Sequence, residues 1–192
     1  MRLGILGGSF DPPHVGHLLV GGDAHERLQL DQLIFVPASI QPLKEGQAVA
    51  SGAQRLAMVE LLVGHDSRFS VSPIEIERGG LSYTVETLTA FASMCPDAER
   101  FFLLGADAFA TFAQWREPGR IMGLARVAVL ERGGEQVLNT PALADPAILR
   151  VPTRRVDVSS TEIRDRVRRG KPIREFVTDA VAGFIAAAGL YR

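Results

Sequence analysis

The stretch Gly7-Gly8-Ser9-Phe10-Asp11-Pro12-Pro13-His14-Val15-Gly16-His17 holds the residue types that could handle a phosphate. It joins an apolar run, Leu3-Gly4-Ile5-Leu6, to a segment with helical character. A strand, a glycine-opened turn and a helix start together present backbone N–H groups and a positive helix end to an anion. His14 and His17, at i and i+3, add imidazole donors at the same helix start. Gly8 and Ser9 allow close approach of the backbone, and Gly16 leaves room beside a bulky anion. Two histidines are too few for a zinc site, and Asp11 could complete one only with suitable geometry, so no metal ligand is assigned. Far along the chain, Ser159-Ser160-Thr161-Glu162-Ile163-Arg164 is a second candidate. Ser159 and Glu162 have the S-x-x-E spacing of a capping box. A helix starting there aims the hydroxyls of Ser160 and Thr161 and its first amides at one spot, and Arg164 adds a forked cation suited to phosphate. Alone this is an ordinary capped helix. The histidine stretch tips the reading toward a phosphate site.

These residues need a scaffold. The patterning predicts strands at Arg2 to Leu6, Leu33 to Val36, Phe69 through Ile76, Arg100 to Leu104, Arg126 to Glu131 and, shorter and more polar, Arg154 to Val158. Helices are predicted at His17 to Leu30, Ser51 to Val63 with Ser51 as cap, from a Thr84 cap through Phe91, Ala108 to Trp115, Ser159 to Arg169, and Glu175 to Ala188. Residues 38–50 and 139–149 read as loops. Strands alternating with helices predict an α/β fold: a Rossmann-like, doubly wound parallel sheet with helices on both faces, in a single domain spanning 1–192. Ligands of such sheets bind beyond the carboxyl ends of the strands where strand order reverses. The turns after strands one, four and five, carrying Gly8, Gly105-Ala106-Asp107 and Arg132, are expected to converge there.

Composition narrows the class. The chain has 192 residues, 46% hydrophobic, enough for one sizeable core. A net charge of −1 and a pI near 6.4 argue against nucleic acid or an anionic membrane as main partner. The lone Cys95 excludes an internal disulfide, and with no signal-type segment or bilayer-length apolar run the expectation is a cytoplasmic protein. The glycines lack the dinucleotide fingerprint, and no Gly-Lys-Ser or Gly-Lys-Thr follows them, so neither a redox Rossmann site nor a P-loop is supported. His25 and His65 have no motif around them. The run Arg166, Arg168, Arg169, Lys171 and Arg174 reads as a solvated face.

Ser9-Phe10-Asp11-Pro12 with His14-Val15-Gly16-His17 resembles the (T/S)FDPxHxGH signature of the nucleotidyltransferase superfamily, and Ser159 to Arg164 is similar to its SSTxIR element. Ser82-Tyr83-Thr84-Val85-Glu86-Thr87-Leu88, Leu104-Gly105-Ala106-Asp107 followed by Trp115, and the closing Gly189-Leu190-Tyr191-Arg192 resemble the bacterial nicotinate-nucleotide adenylyltransferases from end to end. The resemblance implies adenylyl transfer from ATP, with Mg2+, to nicotinate mononucleotide. It implies ATP contacts at Gly7, Gly8, Ser9, Phe10, His14, Gly16, His17, Gly105, Asp107, Ser159, Ser160, Thr161 and Arg164. It implies mononucleotide contacts at Ser9, Lys44, Tyr83, Thr84, Asp107, Trp115 and Arg132, with His14, His17, Lys44 and Arg164 in the catalytic role. Read from the residues alone, Thr84 and Asp107 could equally serve helix starts, and Trp115 could be core packing. Where the family often has Pro-Pro-His-Lys, this chain has Gln41-Pro42-Leu43-Lys44, keeping the lysine and lacking the histidine. A sister transferase using phosphopantetheine or nicotinamide mononucleotide is the alternative, and oligomeric state is not readable.

Overall fold

The computed structural model describes residues 1–42, 49–132 and 146–192. Its centre is a six-stranded parallel sheet: β1 (Arg2–Gly8), β2 (Gln32–Pro37), β3 (Phe69–Val71), β4 (Glu99–Gly105), β5 (Arg126–Arg132) and β6 (Ile148–Thr153). The spatial order is β3-β2-β1-β4-β5-β6, every pairing parallel. Strand order therefore reverses between β1 and β4, beside the glycine-opened turn, as the alternating pattern predicts.

The strands are apolar on both faces because helices cover both, as an all-parallel sheet requires. Along β4, Phe101 and Leu103 join one core with α1 (Val15–Arg27) and α2 (Gly52–Val63), through residues such as Ala24, Leu28, Val59 and Val63. Phe102 and Leu104 point the other way, to α4 (Thr84–Met94) and α6 (Pro118–Leu124), meeting Leu88, Phe91 and Ile121. A third core lies outside the sheet, where Met58 and Leu62 of α2 meet Ile163 of α7 (Ser160–Arg168) and Val181 and Ile185 of α8 (Asp179–Ala187). That contact seats the C-terminal helices over the first signature. Burying such side chains contributes about 25 cal/mol per Å² of apolar area removed from water.

Several boundaries differ from the predicted ones. The alternation through Ile76 ends as strand at Val71; Ile74–Arg78 forms a short helix, α3, because Pro73 leaves the sheet and becomes its N-cap. The last strand is Ile148–Thr153, overlapping a predicted loop, while 154–158 is irregular. Pro152 obscures this strand in the sequence but is tolerated because β6 lies at the sheet edge. Ala108 to Trp115 is not one helix. It divides into the end of α5 (Ala106–Phe109) and a 3-10 turn at Phe112–Gln114, which sends both Phe109 and Phe112 into the core. Pro118, just beyond that predicted helix, opens α6 at its first turn, where its missing N–H costs nothing. The final helix starts at Asp179 rather than Glu175, where Thr178 caps it.

Candidate active site

α1 starts at Val15, two residues before the predicted start at His17, with His14 as its N-cap. The His14 main-chain N–H donates to Nδ1 of His17 at 3.1 Å. With Nδ1 accepting, a neutral His17 carries its proton on Nε2. The two rings stack with centroids 3.8 Å apart, and Phe10 meets His17 edge-on at 4.9 Å. A Cβ at Gly16 would lie 2.9 Å from Nδ1 of His14, so that glycine is required by the histidine's position. A Cβ at Gly8 would strike the Phe10 ring at the same distance.

The second signature closes on the first. Ser159 caps α7, its hydroxyl accepting from the Glu162 N–H at 3.2 Å. Ser160 donates its hydroxyl to the Pro12 carbonyl at 2.8 Å, and Arg164 donates to the Asp11 carbonyl at 2.7 Å and to the Thr161 hydroxyl at 3.3 Å. The Val15 N–H donates to the Phe176 carbonyl at 2.9 Å. On the far side of α1, the Asp23 carboxylate takes Nε and an Nη of Arg154 together with the Arg154 main-chain N–H. Bonding to Arg154 holds the Asp23 carboxyl below the usual carboxylate range. The second signature is thus tied to the turn that leads into α1, and Arg154, just before it, to α1 itself.

Three residues of this framework were not among the expected site residues. Asp11 is 4% exposed; its carboxylate accepts the Val49 and Ala50 N–H groups and the Tyr191 hydroxyl, at 2.7, 3.2 and 2.5 Å. It is occupied as a structural acceptor. Arg55, 2% exposed, donates to the carbonyls of Ser9, Ser39 and Ala50, joining the turns after β1 and β2. Burial pulls its pKa down, against the raising effect of Asp11. The only sequence signal for Tyr191 was the closing Gly-Leu-Tyr-Arg resemblance; Arg55 had none. Among the described residues no group of three or more His, Cys, Asp or Glu is arranged to hold a metal ion.

Beside the cradle, at the carboxyl ends of β1, β2 and β4, a cavity of about 110 Å³ is lined by Gly7, Gly8, Gln41, Thr84, Gly105 and Trp115 among others. A neighbouring cleft of about 120 Å³ adds Tyr83, Gln114 and Arg116 and shares Gln41, Ser82, Thr84 and Trp115. The expected Tyr83, Thr84 and Trp115 therefore come together, and Gly7 and Gly8 connect them to the histidines. Trp115 serves the core as well, packing on Phe102 and Phe112 at 6.0 and 5.6 Å and donating from its ring nitrogen to Thr111 at 3.2 Å. The N-cap of α4 is Tyr83, with Thr84 the first helical residue, so the Thr84 amide stands at a helix start. The Arg116 guanidinium lies over the Tyr83 ring at 4.6 Å. Gln41, another unanticipated residue, accepts from the Ser9 hydroxyl at 2.6 Å and links the cradle to both clefts. Asp107 stands in the first turn of α5. Arg132 closes β5 in register with Thr153. Lys44 lies outside the described residues. Of the basic run, Arg166 is not merely solvated: it donates to the Pro172 carbonyl and covers Phe176.

A parallel sheet with a histidine-bearing helix start at its switch point, clasped by a second helix start, defines a nucleotide-binding α/β protein. The chain belongs to the cytidylyltransferase-like family, whose model matches residues 5–166. It is similar to a probable nicotinate-nucleotide adenylyltransferase of Gemmatimonas aurantiaca, 49% identical over 100% of this chain and 93% of that protein. A protein of the same description from Thermus thermophilus is 42% identical, with all of both chains covered. Among solved structures, Plasmodium falciparum nicotinic acid mononucleotide adenylyltransferase complexed with NaAD shares the fold, with a TM-score of 0.81 at 18% identity over 99% of this chain and 97% of that one.

Proposed function

We propose that the protein transfers the adenylyl group of ATP to nicotinate mononucleotide, giving deamido-NAD and pyrophosphate. The observation that carries the reading is the meeting, at Gly7 and Gly8, of the stacked His14–His17 cradle and the cavity walled by Thr84 and Trp115. Magnesium bound with ATP would neutralise phosphate charge; no group of three or more His, Cys, Asp or Glu among the described residues is placed to hold it, so it would be brought by the ATP. The mononucleotide phosphate is largely dianionic at neutral pH, its second pKa being about 6, so no general base is needed. One of its oxygens attacks the α-phosphorus in line, the bond from that phosphorus to the bridging oxygen breaks, and pyrophosphate departs with the electron pair.

The protein's task is positioning and charge stabilisation. His14 and His17 donate to triphosphate oxygens, and Gly8, Ser9 and Gly16 let the chain approach them. Thr161 and Arg164 flank the departing pyrophosphate with the α7 N-terminus. Gly105 and Asp107 face the nucleotide at the β4 end; Tyr83, Thr84 and Trp115 receive the pyridine ring, and Lys44 and Arg132 contact the second substrate. A cytoplasmic setting goes with this use of ATP. Incubating the purified protein with ATP, magnesium and nicotinate mononucleotide, nicotinamide mononucleotide or phosphopantetheine in turn, and measuring pyrophosphate, tests the reading. Release is expected with nicotinate mononucleotide; its absence there, or faster release with another acceptor, overturns the assignment.

A further inference from the structure

Among the described residues lining the cavity beside the cradle, Glu75 is the only ionisable one. It is 7% exposed, on α3, and the cavity wall is otherwise uncharged. The carboxylate is held in place from α4. Thr87 donates its hydroxyl to it at 2.5 Å and itself accepts from Arg78 at 3.2 Å. The Ser82 hydroxyl, which accepts the Ser39 N–H at 2.9 Å, lies near it and favours its charged form. The charged groups that face Glu75 are Arg78 on its own helix and Glu86 on α4. Arg78 is shared with Glu86, to which it lies 3.5 Å away, and Glu86 also binds Arg116. The positive charge nearest Glu75 is thus divided with a second carboxylate.

Burial raises the Glu75 pKa, and the Thr87 bond and the nearby Ser82 hydroxyl work against that rise. A buried carboxylate with shared compensation is stabilised by any cation that reaches it. The ring carried by a nicotinate mononucleotide is a pyridinium, with a permanent positive charge at the ribosyl nitrogen. We propose that Glu75 is a specificity-determining residue: its carboxylate, on the wall shared with Trp115, is the counter-charge for the cationic ring of the mononucleotide substrate. This rests on the adenylyl-transfer reading above. In it, the Thr87 hydroxyl, itself bonded by Arg78, fixes the carboxylate at the cavity wall, while Trp115 supplies an aromatic surface that also favours a cation.

The test compares two ligands that differ only in ring charge: nicotinate mononucleotide and its neutral isostere, in which a carboxyphenyl C-glycoside replaces the pyridinium. Binding of each to the full chain is measured by calorimetry for the wild type, Glu75→Gln and Glu75→Asp. Glu75→Gln is expected to weaken the cationic ligand by about tenfold while the neutral one changes by less than about twofold. Glu75→Asp, which keeps the charge, is expected to retain the preference. Equal losses for both ligands, or none, overturn the role and leave the transferase reading intact. Failure of the wild type to release pyrophosphate from ATP with nicotinate mononucleotide overturns that reading itself. Should Glu75→Gln not fold, the wild type still decides with the amide forms of both ligands, which carry no titrating carboxyl: the ratio of their affinities is expected to fall as pH drops through the Glu75 titration, since the phosphate common to both cancels. A flat ratio overturns the proposal.

Discussion

Replacing Tyr191 by phenylalanine removes one oxygen and keeps the ring, so no cavity opens in the third core. What disappears is the phenol's bond to the Asp11 carboxylate, 2.5 Å long and buried. Burial, and then that bond, raises the Tyr191 pKa, so the phenol stays protonated and remains a donor throughout the neutral range. A hydrogen bond to a charged group contributes about 1.5–3 kcal/mol, and Asp11 keeps its two main-chain donors, so a cost of about 2 kcal/mol is expected. For a chain of this length that is a fall of about 4–8 °C in melting temperature. Trp115, the one tryptophan, supplies a fluorescence signal for urea titration. In Asp11→Asn the same tyrosine change should cost clearly less, since the charge it served is gone. Because the Asp11 carbonyl accepts from Arg164, Tyr191→Phe should also raise KM for ATP while KM for the mononucleotide stays within about twofold. A melting temperature within about 1 °C of wild type, or an undiminished cost in the Asp11→Asn background, refutes the claim that the C-terminal tyrosine braces the cradle.

Two further outcomes follow from the same geometry. His17→Ala should lower turnover by about 3–4 kcal/mol of transition-state stabilisation while scarcely weakening mononucleotide binding, as steady-state kinetics and calorimetry can show; an unchanged turnover number contradicts the donor role. Asp23→Asn breaks the fork to Arg154 and should cost about 1–2 kcal/mol in urea melts, toward the low end for a charged bond because the arginine is largely exposed. Since the folded carboxyl sits below its unfolded value of about 4, this stabilisation is present above that pH and is lost as pH falls through the folded pKa. The wild-type advantage should therefore be constant from about pH 7 to 5 and shrink in stronger acid.

The strands and their parallel order were legible because an all-parallel sheet needs continuous apolar runs, and Leu33 to Val36 and Arg100 to Leu104 are such runs. The caps at Ser51 and Ser159 were legible because capping is a contact over three residues. Errors fell where a local signal had two uses. Ile74 and Ile76 alternate like a strand, yet beyond Pro73 they belong to a helical turn. Pro118 can stop a helix or open one, and the chain uses it to open α6. Arg154 looks like part of a strand but is turned to Asp23 on α1.

Local chemistry in the chain was sufficient to locate the proposed phosphate cradle: two histidines, a glycine between them and a capped helix start are short-range patterns whose geometry the backbone sets. Tertiary structure alone decided what holds that cradle and what it faces. Asp11 is braced by Tyr191, 180 positions away; Arg55 reaches back 46 positions to Ser9; and Glu75 enters the wall of a cavity whose other sides come from β1 and β4. The reason is physical: a buried charge persists only where bonds compensate its desolvation, and partners brought together across such distances leave no periodicity or spacing to read.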